Sequence, residues 1–172
     1  EWLMYMDYFA RKDFGENYLE AYKKEIEDCF QQVVYSINQP AAARNYQSVF
    51  WNISVYDEYY FNSLFGDFVF PDFTAPKWDT VSKLQEFFMT WFNNERQKEI
   101  LTFPIVTAAM LIENDAPKDL EFAKMCSKNL SEGNSFFIYL SESADSLASC
   151  CRLRNEFQDN TFSYTLGAGG VS

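Results

Sequence analysis

The run TFPIVTAAMLI, Thr102 to Ile112, carries no charge and is dense in β-branched residues. A strand with one buried face alternates apolar and polar side chains, whereas a strand covered on both faces reads as a continuous apolar run. This segment therefore needs a layer above it and a layer below it. The residues before it offer one such layer. Val81, Leu84, Phe87, Phe88, Trp91 and Phe92 recur at three- and four-residue steps in a helix ending near Glu99, and Asp79 or Thr80 can cap its start.

The same alternation extends along the chain. Tyr18, Leu19, Tyr22, Ile26, Phe30, Val33 and Val34 predict an amphipathic helix over Glu16 to Ser36. YQSVFWNISVY follows Pro40 with aromatic and β-branched residues in an extended pattern, predicting a buried strand from Ser48 to Val55. FPDFTAPKWD, with Pro71 and Pro76, is a loop. Asn114 to Pro117 punctuate the chain before a helix over Leu120 to Leu130, which Gly133 stops, and SFFIYL then reads as a second buried strand. Helix and strand alternate with long crossovers, as in an α/β sheet or barrel with parallel components. There is no internal repeat and no linker, so the chain reads as one domain.

Composition narrows the function. The 172 residues are 48% hydrophobic, ample for a core, and the formal net charge of -11 argues against a general nucleic-acid binder. No apolar run reaches the roughly 18 residues of a membrane span, which favours a soluble, cytoplasmic protein. Cys29, Cys126, Cys150 and Cys151 show no CxxC spacing and the chain has no His, so the usual zinc patterns are not available here. Reduced thiols are the simplest reading. The chain opens inside an amphipathic pattern and stops at GAGGVS, which reads as an internal piece of something longer.

Two thiols stand side by side in SLASCCRLRNE, Ser146 to Glu156. The irregular stretch SESADSLASCCRLRN predicts that they sit on a loop beyond the carboxyl end of the SFFIYL strand, with Ser143, Ser146 and Ser149 in that loop. Ligands of α/β folds bind at that end. Arg152 and Arg154 would favour thiolate character or hold an anion. Either cysteine could equally be a small buried hydrophobe, which is the reading given to Cys29 and Cys126 on their helices. YTLGAGGVS lacks the Lys-Ser or Lys-Thr of a phosphate loop and reads as a tight turn. NQPAAARNYQSVFWN has one basic residue, Arg44, too few for a nucleic-acid platform.

Five blocks, in order, resemble the large subunit of anaerobic (class III) ribonucleoside-triphosphate reductases, which are glycyl radical enzymes: YMDYFARKDFG, YSINQPAAARNYQSVFWNIS, KLQEFFMTWFNNERQKEILTFPIVT, EGNSFFIYLSESADSLASCCRLRNE and NTFSYTLGAGGVS. The resemblance spans nearly the whole chain. It implies a segment, residues 1–172, of a ten-stranded α/β barrel in which a finger loop carries a cysteine to the centre. Cys151, which stands directly before Arg152, is the expected thiyl residue, with Cys150 as the alternative. Gln47, Ser48, Asn52 and Ser149 are the candidate polar contacts to the nucleotide, the alternative for Gln47, Ser48 and Asn52 being that they satisfy neighbouring backbone at strand ends. The resemblance further implies a glycyl radical outside this segment, installed by an activase using S-adenosylmethionine and an iron–sulfur cluster. It also implies a zinc site outside the segment, nucleotide effectors and a homodimer.

The segment departs from the family pattern in ways that set expectations. Aerobic relatives place a Glu two residues after the radical cysteine, and here Leu153 and Arg152 follow Cys151 and Cys150 at that spacing. Formate or a different reductant would supply the missing acid and electrons. The regulatory domain, the zinc site and the radical loop are absent from these residues, and Gly167, Gly169 and Gly170 are not the radical glycine, so the piece alone should be inactive. A noncatalytic α/β scaffold, or another glycyl radical enzyme, are the alternatives.

Overall fold

A computed structural model describes residues 1–40, 45–144, 146–148 and 154–156, the last two stretches as backbone. Helix α1 (Trp2–Phe14) opens the chain, followed by the single turn α2 (Tyr18–Ala21) and α3 (Lys23–Asn38). The helix expected over Glu16 to Ser36 is thus broken. Tyr22, at φ −126°, leaves the helical region between the two pieces. Cys29 faces solvent, because the buried stripe of α3 is Ile26, Phe30 and Val34 and Cys29 lies off it.

Strand β1 (Asn52–Tyr56) starts later than the apolar pattern suggests. The residues before it spend their hydrogen bonds on the end of α3: Val49 N–H donates to the Ile37 carbonyl (2.9 Å) and Ser48 Oγ to the Asn38 carbonyl (2.9 Å). The ladder begins only where Ile105 N–H reaches the Trp51 carbonyl. Asn38 itself works as a staple. Its Nδ2 donates to the Val34 and Phe103 carbonyls, and its Oδ1 accepts from Thr102 and Phe103 N–H. One amide thereby closes α3 and ties its end to Thr102 and Phe103, the residues that lead into the strand beginning at Ile105.

After β1 come α4 (Glu58–Phe65), which the sequence pattern does not anticipate, and the long α5 (Trp78–Lys98). Neither Asp79 nor Thr80 caps α5. Its N-cap is Lys77, without a side-chain cap bond, and Thr80 Oγ1 turns back to the Lys77 carbonyl. Asp79 instead lies in the first turn, where its charge complements the helix dipole. Then follow β2 (Ile105–Glu113), the two-residue β3 (Ala116–Pro117), α6 (Leu120–Ser131) and β4 (Phe137–Ser141). Asn114 and Asp115, both at positive φ, make the tight turn from β2 to β3, and Gly133, at φ +87°, closes α6 with its N–H on the Leu130 carbonyl.

β1, β2 and β4 form a parallel sheet with β2 in the middle. Val106 to Met110 are buried without interruption, as the uncharged run demands of a strand covered on both faces. The outer strand β4 differs from expectation: Phe137, Ile138 and Leu140 are exposed, and only Ser141 is buried. One sheet face, Ile53, Val55, Val106, Ala108 and Met110, packs into a core supplied by all the helices but α4. That core is aromatic. Trp2 lies 5.1 Å from Trp51 and 5.6 Å from Phe88, and Phe30 packs against Phe87, Phe88 and Trp91. On the open edge of β1, the buried Gln85 of α5 takes the place of a neighbouring strand: its amide accepts from Tyr56 N–H and donates to the Tyr56 carbonyl. Two short strands, β5 (Ser146–Ala148) and β6 (Arg154–Glu156), pair antiparallel beyond β4.

Candidate functional site

In parallel α/β sheets the carboxyl ends of the strands gather the loops, so chemistry concentrates there. Here those ends are locked by one acid. Asp57, the residue after β1, is fully buried; its Oδ1 accepts from Tyr60 N–H (2.7 Å), capping α4, and its Oδ2 accepts from Leu111 N–H of β2 (2.6 Å). Its own N–H reaches the Ala109 carbonyl. Burial pushes the Asp57 carboxyl above its ordinary value, while the backbone donors pull the other way. Tyr60, also fully buried, sends its hydroxyl to the Ser143 carbonyl (3.4 Å). That carbonyl also accepts from Ser141 Oγ (2.7 Å), which in turn accepts from Ser143 N–H (3.2 Å).

Ser143 is the root of the β5–β6 hairpin. The register pairs Ser146 with Glu156, Leu147 with Asn155 and Ala148 with Arg154, and residues 149–153 join the two strands. Ser149, Cys150 and Cys151 fall in that connection and lie outside the described residues. Ser146, expected in an irregular loop, belongs to β5 instead. Small Ser and Ala side chains disfavour a packed helix at this point, but they do not forbid a ladder. β5 also contacts β2, so the hairpin starts against the sheet.

Strand alternation puts Asn52, Ser54 and Tyr56 on the face opposite the main helix core, level with Ile105, Thr107 and Ala109 of β2. β4 continues two of these rows with Phe137 beside Thr107 and Tyr139 beside Ala109. This face is rich in hydroxyls. Burial drives the Tyr56 phenol up to about 12, and its ring packs into the cluster of Tyr60, Phe61 and Phe70. Asn52 Oδ1 is buried without a hydrogen-bond partner among the described residues. A buried acceptor of this kind normally finds a partner in protein, water or ligand.

The three described candidates thus separate. Ser48 is committed to Asn38, Gln47 is exposed, and Asn52 alone presents an unpaired buried acceptor on the hydroxyl-rich face. Asn52 stands six rows before Leu111, about 20 Å from the hairpin root at strand rise. Asp57, Tyr60 and Ser141 do not stand out in the sequence, although an Asp directly before a helix start is a signal for the first of them. Cys126 is buried and its thiol is pushed up to about 12, chiefly by burial, which leaves it inert. No group of His, Cys, Asp and Glu suited to a metal occurs among the described residues, and none of their helices is long and apolar enough to cross a membrane.

Comparison with known proteins gives one consistent result. A family model described as anaerobic ribonucleoside-triphosphate reductase matches residues 1–172. A crystal structure of the anaerobic ribonucleotide reductase from Thermotoga maritima with citrate in the active site is similar at 30% identity and a TM-score of 0.71, over 84% of this chain and 26% of that one. The same enzyme in complex with dATP and CTP is similar at 31% identity and a TM-score of 0.73, over 86% of this chain and 25% of that one. A further structure described as anaerobic ribonucleotide reductase is similar at 29% identity and a TM-score of 0.73, over 84% and 23% of the two chains. This chain therefore spans about a quarter of the length of the solved structures it matches. A search of the curated proteins found no match.

Proposed function

The chain belongs to the anaerobic ribonucleoside-triphosphate reductase family, and from that premise we propose that the complete protein reduces ribonucleoside triphosphates to 2′-deoxyribonucleoside triphosphates. The observation that carries the reading is the β5–β6 hairpin, rooted at the carboxyl end of a parallel sheet, whose connecting residues include both adjacent cysteines. In this reading the sheet is part of the ten-stranded barrel and the hairpin is its finger loop. Residues 1–172 are a segment of that catalytic barrel, with the regulatory domain and the radical and zinc regions lying outside it.

Cys151 is the proposed thiyl residue, with Cys150 as the alternative. The thiyl sulfur takes a hydrogen atom from C3′ of the ribose, forming S–H as C3′–H breaks. The 2′ hydroxyl then leaves with one proton as water. Two electrons and a further proton go to C2′, and the thiol returns its hydrogen atom to C3′, restoring the thiyl. The electrons come from formate, leaving as carbon dioxide, or from a thioredoxin-like dithiol. A glycyl radical outside this segment, installed by a radical S-adenosylmethionine activase, supplies the oxidising equivalent that first forms the thiyl. Zinc outside the segment, a homodimeric assembly, nucleotide effectors and a cytoplasmic setting complete the proposal.

The face bearing Asn52 and Ser54 supports a polar substrate, since a hydroxyl and an amide oxygen without a partner among the described residues suit a ribose better than an apolar ligand. Gln47, Ser48 and Ser149 stay in the proposal as further polar contacts, Ser48 through whatever capacity Asn38 leaves it. The direct test is turnover by the complete protein after anaerobic activation. Deoxynucleotide should form with matching consumption of reductant, and an intact glycyl radical without deoxynucleotide would refute the assignment. Asn52→Ala should lower kcat/KM by about tenfold, the worth of one hydrogen bond to substrate. The melting temperature should hardly move, because the substitution removes an acceptor that has no partner among the described residues. An unchanged kcat/KM would take Asn52 out of the site.

A further inference from the structure

Burying a tyrosine rather than a phenylalanine adds a hydroxyl that must be satisfied. Tyr60 is fully buried within a cluster that includes Tyr56, Phe61, Phe70 and Val81. Packing alone would be served by the ring. Its hydroxyl instead reaches out of the cluster to the Ser143 carbonyl, and Ala144, the next residue, packs against the same cluster. The backbone of Tyr60 is held in turn by Asp57, which also holds β2 at Leu111. A continuous set of bonds therefore runs from the ends of β1 and β2 through α4 to the residue from which the hairpin departs.

We infer that Tyr60 is a positioning residue for the thiol-bearing hairpin, fixing its root through the hydroxyl bond to Ser143. The inference rests on the radical reading above, in which a hairpin cysteine must meet C3′. An antiparallel ladder is stiff, so a small rotation at Ser143 displaces what the hairpin carries by more than it displaces Ser143. Hydrogen-atom transfer needs close approach, and a misplacement of about 1 Å can cost on the order of a hundredfold in rate. Ser141 acts on the same root. Its Oγ both donates to and accepts from Ser143, making a closed local turn there.

The test is Tyr60→Phe in the complete, anaerobically activated protein. The ring and its packing remain, and only the hydroxyl is lost. The expected result is an unchanged glycyl radical signal, KM within about threefold of wild type and kcat per radical lower by about ten- to a hundredfold. A purely structural role would lower the melting temperature and leave kcat per radical at the wild-type value, and that result overturns the inference. Ser141→Ala provides a second reading should Tyr60→Phe fold poorly. It should lower kcat several-fold at constant KM, and wild-type kcat in that variant would count against a root that needs fixing. Serine variants of both cysteines belong in the same series. If they are inactive while Tyr60→Phe is normal, the positioning role alone is wrong, whereas full activity in both removes the radical reading beneath it.

Discussion

Cys151→Ser in the complete, anaerobically activated protein is expected to abolish nucleotide reduction while leaving the glycyl radical and the melting temperature unchanged. The alcohol O–H bond is stronger than the thiol S–H bond by far more than the few kcal/mol that separate workable rates from none, at about 1.36 kcal/mol per tenfold. Serine therefore cannot relay the radical. It is close to cysteine in size, so packing should be little altered. Cys150→Ser is the matched comparison. An inactive Cys150 variant beside an active Cys151 variant would move the thiyl by one residue, and full activity in both would end the thiyl assignment for this segment.

Asp57→Ala should produce a large loss of stability at the sheet's carboxyl end. It strands the buried N–H of Tyr60 and the part-buried N–H of Leu111, each costing about 1–3 kcal/mol when left unpaired. A total of about 4 kcal/mol corresponds to a local opening equilibrium roughly a thousandfold larger, readable as faster hydrogen exchange of the β2 amides. Exchange at the wild-type rate would show that the carboxylate is not the anchor. Asp57→Asn should cost less, since one acceptor survives, but its NH2 must face one of the two donors. The pH dependence carries a definite sign. Burial raises the folded pKa of Asp57 above the ordinary 3.8, so the native state binds its proton more readily than the unfolded chain. The favourable contribution is present below 3.8 and is lost as pH rises through the folded value. In the Asn variant this descending limb should vanish from urea midpoints measured across that window.

The elements most legible in the sequence were those whose burial is one-dimensional. β2 could be read from an uncharged run because both of its faces are covered, α5 from a stripe with helical spacing, and α6 from the punctuation at Asn114 to Pro117 and Gly133 on either side of it. The start of β1 was not legible, since Ser48 and Val49 look like strand but give their hydrogen bonds to the end of α3. α4 escaped because Tyr59, Tyr60 and Phe61 in succession show no clear stripe, and its start rests on one capping carboxylate. The burial of β4 departs from its sequence pattern, because apolar composition alone does not say how many faces of a strand are covered. The candidate site divides similarly. The cysteine pair stands out through local composition and family resemblance, whereas Asp57 and Tyr60 matter through partners 54 and 83 positions away, which no local pattern reveals.

The contact between Trp2 and Trp51, 5.1 Å apart and inclined by 73°, has an optical consequence. Two indoles so close and so inclined couple their excited states, giving the folded chain a circular-dichroism couplet that neither tryptophan would show alone. Trp2 opens α1 and Trp51 immediately precedes β1, so the couplet reports the seating of the first helix on the sheet. Its loss while the helical far-ultraviolet signal persists would mark a state in which secondary structure survives and α1 has come away from its place. The chain thus carries an intrinsic gauge of its own assembly, readable without any label.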